Sequence, residues 1–144
     1  MIPCGPIVAG IVFLNGVNPF EGKKEAVMPH ILMEYSEPVA GKTNIKALLS
    51  EIHAVVRNSG LFEPEGIKSR AVSFPLWQVG DLRDEGHFIH ITLMILNKRS
   101  IQQRRELGQP ILELLKRSVS GVHSLTVEVR EMEKKTYLIH RDMP

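Results

Sequence analysis

The chain has 144 residues, 43% of them hydrophobic and 24% charged, which is enough for one domain with a real core. The net charge is +2 with both signs interspersed, and this excludes a strongly basic surface for nucleic acid or membrane. The single cysteine, Cys4, excludes an internal disulfide and fits a reducing, cytoplasmic compartment; the six histidines fall in no metal-binding spacing.

Residues 1–27 differ from the rest. Ile7 to Leu14 is a short apolar run broken by Gly10, too short to span a membrane. No basic residue precedes it, so it makes a poor signal peptide. Phe20 to Glu25 is polar and turn-prone. The segment is expected to be a disordered or loosely docked extension. A second reading uses the genetic code. Lys23-Lys24-Glu25-Ala26 can be encoded AAA-AAG-GAG-GCN, a purine tract of ribosome-binding type just before the Met28 codon. Residues 1–27 are then upstream DNA, and the domain runs over 28–144.

Pro29 follows. Inside a chain its nitrogen is a tertiary amide with no basicity. At an amino terminus it is a secondary amine titrating near pH 8, and burial or nearby positive charge lowers that value toward the range of a general base. Residues 30–36 alternate as a strand, with Ile31, Met33 and Tyr35 on one side and His30, Leu32, Glu34 and Ser36 on the other. After a loop at 37–41, Thr43 or Asn44 caps a helix. Its apolar stripe is Ile45, Leu48, Leu49, Ile52, Val55 and Val56, and Asn58-Ser59-Gly60 stops it.

Ile67 to Phe74 reads as a second strand with Lys68 and Arg70 on one face, and Pro75 marks an edge or a bend. Trp77-Gln78-Val79 is expected to continue it before a polar loop at 80–86. His87 to Leu96 is the strongest strand: Ile89, Ile91, Leu93 and Ile95 on one face, Phe88, His90, Thr92, Met94 and Leu96 on the other. Ser100 and Gln103 form a capping box for a second helix. Gly108 and Pro110 lie inside its pattern, and an interior proline costs about 3 kcal/mol, so a kink or a break is expected there. Ser124 to Glu131 is a last strand with Leu125, Val127 and Val129 inward, and the tail from Glu133 has a candidate strand at Tyr137-Leu138-Ile139.

The order is β-α-β twice. This predicts an α/β (α+β) fold: two β-α-β units forming one mixed sheet with two helices on one face. The opposite face, with His30, Glu34, His90 and Thr92, needs a cover, and subunit association is the simplest one.

Five segments together resemble one family: Met28-Pro29-His30 with Glu34 and Ser36, Gly66-Ile67-Lys68-Ser69-Arg70, Trp77-Gln78, Phe88-x-His90-x-Thr92-Leu93, and Arg99-Ser100. They are similar to the 5-carboxymethyl-2-hydroxymuconate isomerase family, a branch of the tautomerase superfamily. The likeness runs from about Met28 to Glu133. It implies a tautomerase-like fold, a homotrimer, and Pro29 as an amino-terminal base after methionine removal.

Each candidate has a plainer reading. Arg99 is either a solvated loop cation or a carboxylate clamp beside a helix amino end. Lys68 and Arg70 are either charges at a strand edge or substrate-binding cations. The family commonly has arginine at the Lys68 position, and lysine lacks the two-pronged fork. His30 and Glu34 either tune the Pro29 amine or serve the strand; His90 and Thr92 suit interface or core hydrogen bonds.

The resemblance implies an enol–keto proton shift in an unsaturated di- or tricarboxylate, within aromatic catabolism of the homoprotocatechuate type. Pro29 moves the proton while Lys68, Arg70 and Arg99 hold carboxylates. No metal or organic cofactor is needed. Two rivals remain: a non-catalytic trimeric binding or scaffold protein with Pro29 inside the chain, and a ferredoxin-like small-ligand sensor.

Overall fold

The computed structural model describes residues 29–96 and 98–142. The reading of residues 1–27, and of Met28 as the start, lies outside the described residues. Strand β1 is His30–Ser36, helix α1 Ile45–Asn58, β2 Lys68–Phe74, β3 Phe88–Leu96, α2 Ile101–Ser118 and β4 Ser124–Met132. The sheet order is β2-β1-β3-β4. Each β-α-β half pairs its own strands in parallel, and the antiparallel β1–β3 pair joins the halves.

The two periodicities of the sequence decide which side of the sheet is covered. Ile31, Met33, Ile89, Ile91, Leu93 and Ile95 are fully buried under the helices. Leu48, Ile52 and Val56 of α1 and Leu107, Ile111, Leu114 and Leu115 of α2 complete one core. Each such side chain stabilises the fold by about 1.5–3 kcal/mol through removal from water. The opposite face carries cross-strand rows of mixed character. Lys68, His30, Met94 and Arg130 form one row, Arg70, Leu32, Thr92 and Glu128 the next, and Val72, Glu34, His90 and Thr126 a third.

Local signals act where the sequence places them. The Asn44 side chain accepts from Ala47 N–H at 3.0 Å and caps α1. The Ser100–Gln103 capping box forms in both directions, at 3.1 and 2.8 Å. Gly60 ends the α1 turn at φ 72°, a conformation with no Cβ penalty only for glycine.

Three expectations are corrected. The segment Trp77–Val79 does not extend β2, which ends at Phe74. Instead the Trp77 indole N–H donates to the Gly86 carbonyl at 2.7 Å and closes the turns at Gly80–Glu85. The segment 137–139 is no strand; it follows a short 3-10 turn at Lys134–Thr136. Helix α2 runs unbroken through Pro110. Four buried side chains flank that proline, and Gly108 lets the helix lie close on β4: a Cβ there would meet the Val129 methyl at 3.1 Å. That packing outweighs the local cost of about 3 kcal/mol. Among the described residues, no helix is long and apolar enough to cross a membrane.

Candidate active site

Strands β1 and β2 begin at one end of the sheet, and β3 and β4 finish there. That topology brings separate parts of the chain together. Pro29 is buried just before β1. Its carbonyl accepts from Lys68 N–H at 3.2 Å, which ties the starts of β1 and β2. Continuing the register by one residue puts Pro29 in the row of Ile67 and Ile95, which are 7% and 0% exposed. The proline therefore sits on the apolar side of the sheet end.

Three cations surround this end. Lys68 is exposed, with its Nζ 3.3 Å from the Gly66 carbonyl. Arg70 is exposed and donates from Nη1 to His30 Nδ1 at 3.1 Å. Arg99 is not a solvated loop cation: it is 7% exposed, with its guanidinium carbon 5.1 Å from the centre of the Phe62 ring. Lys98 before it takes φ 87°, an unusual conformation for a residue with a side chain. Arg99 thus lies just before the amino end of α2, where backbone N–H groups also favour anions.

His30 is held on both sides. Its Nε2 is 2.7 Å from the Tyr137 hydroxyl, and the two rings meet edge to face at 5.9 Å. Burial first, and then the charges of Lys68 and Arg70, hold its imidazole below the usual histidine range. Glu34 stands four residues along β1, about 13 Å away at the usual strand rise. It shares a row with Val72 and His90 rather than the sheet end. Its charge raises the Arg130 guanidinium slightly, after the larger effect of the Arg130–Glu128 hydrogen bonds. His90 Nδ1 lies 2.6 Å from the Thr126 hydroxyl, and its Nε2 3.7 Å from a Glu128 carboxylate oxygen, so it bridges strands on the open face.

The model of the 5-carboxymethyl-2-hydroxymuconate isomerase family matches residues 29–142. The chain belongs to that family. It is a family of isomerases within the tautomerase superfamily, and the mixed four-stranded sheet with two helices is its fold. The chain is 26% identical over 110 residues to a 5-carboxymethyl-2-hydroxymuconate Delta-isomerase of Escherichia coli, covering 73% of this chain and 87% of that protein. The structure resembles a 5-carboxymethyl-2-hydroxymuconate isomerase from Deinococcus radiodurans R1, with TM-score 0.72, 21% identity, and coverage of 81% of this chain and 92% of that one. It also resembles a fused protein described as a 4-OT symmetric trimer, with TM-score 0.57, 10% identity, and coverage of 77% and 93%.

Membership in the isomerase family sharpens the view of the sheet end. The family match begins at Pro29 itself. Of the residues singled out from sequence, Pro29, His30, Lys68, Arg70 and Arg99 share this end, and Glu34 does not. Tyr137 and Phe62 were not legible as site residues. Tyr137 sits in a tail without periodicity, 107 residues from its partner His30, and Phe62 lies in an irregular connector.

Proposed function

We propose that a chain beginning at Pro29 is a cofactor-free tautomerase with the Pro29 amine as its general base. Its substrate is an unsaturated di- or tricarboxylate of the 5-carboxymethyl-2-hydroxymuconate type. The amine takes a proton from one position of the conjugated system and returns it at a carbon elsewhere. One bond to hydrogen breaks, one C–H bond forms, and the composition of the substrate is unchanged. Lys68, Arg70 and Arg99 hold the carboxylates and offset the charge of the dienolate. An apolar site and nearby cations both disfavour the ammonium form, so the free amine titrates below the ordinary value of about 8.

The observation that carries this reading is the coincidence at Pro29: the family match starts there, and the residue is buried at the end of the sheet where the cations gather. Assembly as a homotrimer fits the same picture. Among the described residues no helix lies on one face of the sheet, and a groove of about 430 Å³ between α2 and β4, lined by Ile101, Leu112, Val127 and Val129 among others, offers apolar surface to a neighbouring copy. The cytoplasm and an aromatic catabolic route are the setting such an enzyme fits.

The test compares two proteins on phenylenolpyruvate and 2-hydroxymuconate. The chain starting at Pro29, its methionine trimmed, ketonises them; the chain starting at Met1, checked by mass to be intact, is far slower because its Pro29 nitrogen is an amide. Equal rates above background would overturn the proline mechanism and leave catalysis to side chains, with Glu34 or His30 the first to test. No ketonisation by either chain would leave the non-catalytic trimeric binding protein as the better reading. Sedimentation equilibrium gives a trimer at micromolar concentration; a monomer there removes the assembly.

A further inference from the structure

Beyond β4 the chain crosses the end of the sheet. It leaves the β4 edge at Met132, passes His30 on β1 through Tyr137, and reaches Glu63 ahead of β2, where Arg141 Nη2 bonds a Glu63 carboxylate oxygen at 3.1 Å. This strap lies at the same sheet end as Pro29 and the cations.

The hydrogen bonds along it assign their own directions. Arginine can only donate. Arg70 Nη1 is 3.1 Å from His30 Nδ1, so Nδ1 accepts, and the proton of the neutral ring is on Nε2. That Nε2–H then donates to the Tyr137 oxygen at 2.7 Å. Tyr137 accepts in this bond, so its own O–H proton remains to be given elsewhere. An oxygen that already accepts is a better donor, because each bond in such a chain polarises the next. Burial and the two neighbouring cations keep His30 neutral, which preserves this direction. A local turn holds the tyrosine in place: its N–H bonds the Lys134 carbonyl at 3.3 Å, and Lys135 N–H bonds the Glu133 side chain at 3.2 Å.

We propose that Tyr137 is a substrate-facing hydrogen-bond donor, oriented by the Arg70–His30 pair, that bonds the oxygen alternating between enol and ketone. The proposal rests on the tautomerase reading and adds to it the group that handles this oxygen. Carboxylates keep a full negative charge throughout and suit Lys68, Arg99 and Arg70, whose guanidinium has further donors beyond the one given to His30. The enol oxygen changes charge during the reaction, and a neutral O–H donor serves it best, since the bond strengthens as the dienolate forms.

The experiment uses the chain beginning at Pro29, its Tyr137→Phe variant, and Arg141→Ala, which loosens the strap but keeps the hydroxyl. Tyr137→Phe retains the ring against His30. Its kcat for ketonisation of 2-hydroxymuconate falls about 10- to 100-fold with KM nearly unchanged, because the lost bond matters most in the transition state. Thermal stability holds, and the ¹⁵N resonance of His30 Nε2 shifts while Nδ1 does not. A Tyr137→Phe kcat equal to that of the parent overturns the proposal and leaves the proline base standing. An equal kcat loss in Arg141→Ala also overturns it, since the strap then acts only as a brace. A parent chain that neither binds nor ketonises the enol removes the tautomerase reading and this proposal together.

Discussion

At one end of the sheet His30 bonds the Tyr137 hydroxyl, and at the other His87 bonds the Ser36 hydroxyl. The chemistry is the same pair, and the surroundings differ. Ser36 is fully buried and bonded on two sides: its oxygen accepts from Phe88 N–H at 3.2 Å and lies 3.1 Å from His87 Nδ1. His123 Nδ1 accepts from the His87 backbone N–H at 3.0 Å, and the His87 and Trp77 rings meet at a tilt with centres 5.7 Å apart. The Phe88 amide, the Ser36 oxygen, the His87 amide and both histidine Nδ1 atoms are each tied to a neighbour in that chain. At the Pro29 end, Tyr137 keeps a proton to give, Lys68 and Arg70 are exposed, and a buried guanidinium lies beside a helix amino end. The far end ties its polar groups to one another, whereas the Pro29 end sets an exposed lysine and an exposed arginine beside the site proposed for the enol.

This contrast can be broken by substitution at each end. The largest effect is expected from Arg99→Ala. Losing a partner to a charged oxygen costs turnover about 2–4 kcal/mol. An unchanged kcat/KM in a folded variant would remove Arg99 from the site. Ser36→Ala acts in the opposite sense. It strands the half-buried Phe88 amide and His87 Nδ1, and urea unfolding should show a loss of about 1 kcal/mol with turnover intact. A drop in turnover without a drop in stability would mean that the far end is not merely structural.

The pH dependence of stability tests both histidines. His30 is held below the usual histidine range by burial, Lys68 and Arg70, and His87 by burial, Lys42 and His123. The unfolded chain takes up protons near pH 6.5 while the folded chain does not. Their contribution is thus fully present above about pH 6.5 and is lost as pH falls through the lower folded values. A Tm profile from pH 8 to 5 should decline on the acid side, and His87→Gln should flatten part of it. A profile unmoved by that substitution would contradict the far-end network. The smallest effect belongs to Lys68→Arg. The charge stays and the fork is gained, so KM for a dicarboxylate should shift by about a few-fold while kcat holds. A large change in kcat would place Lys68 at the reacting atoms rather than at a carboxylate.

Much of this molecule is local, and the sequence by itself determined that part. Alternation assigned both faces of β1 and β3, because side chains on a strand turn over every second residue. Helical spacing and the caps at Thr43 or Asn44 and at Ser100 placed the starts of α1 and α2, because capping bonds span three residues, and the structure chose Asn44. The segments that mark the family were also legible. Other features needed the tertiary structure. The order β2-β1-β3-β4 depends on which strand edges meet after the helices pack, and the β-α-β pattern alone does not state it. Pro110 reads as a breaker, and only the packing of α2 on β4 overrides it. The sequence leaves Arg99 between a solvated loop cation and a carboxylate clamp, and only its burial against Phe62 removes the solvated reading. Tyr137 belongs to no periodic segment. Its meeting with His30 exists because the end of β4 emerges beside the start of β1, and only the packed sheet sets that distance.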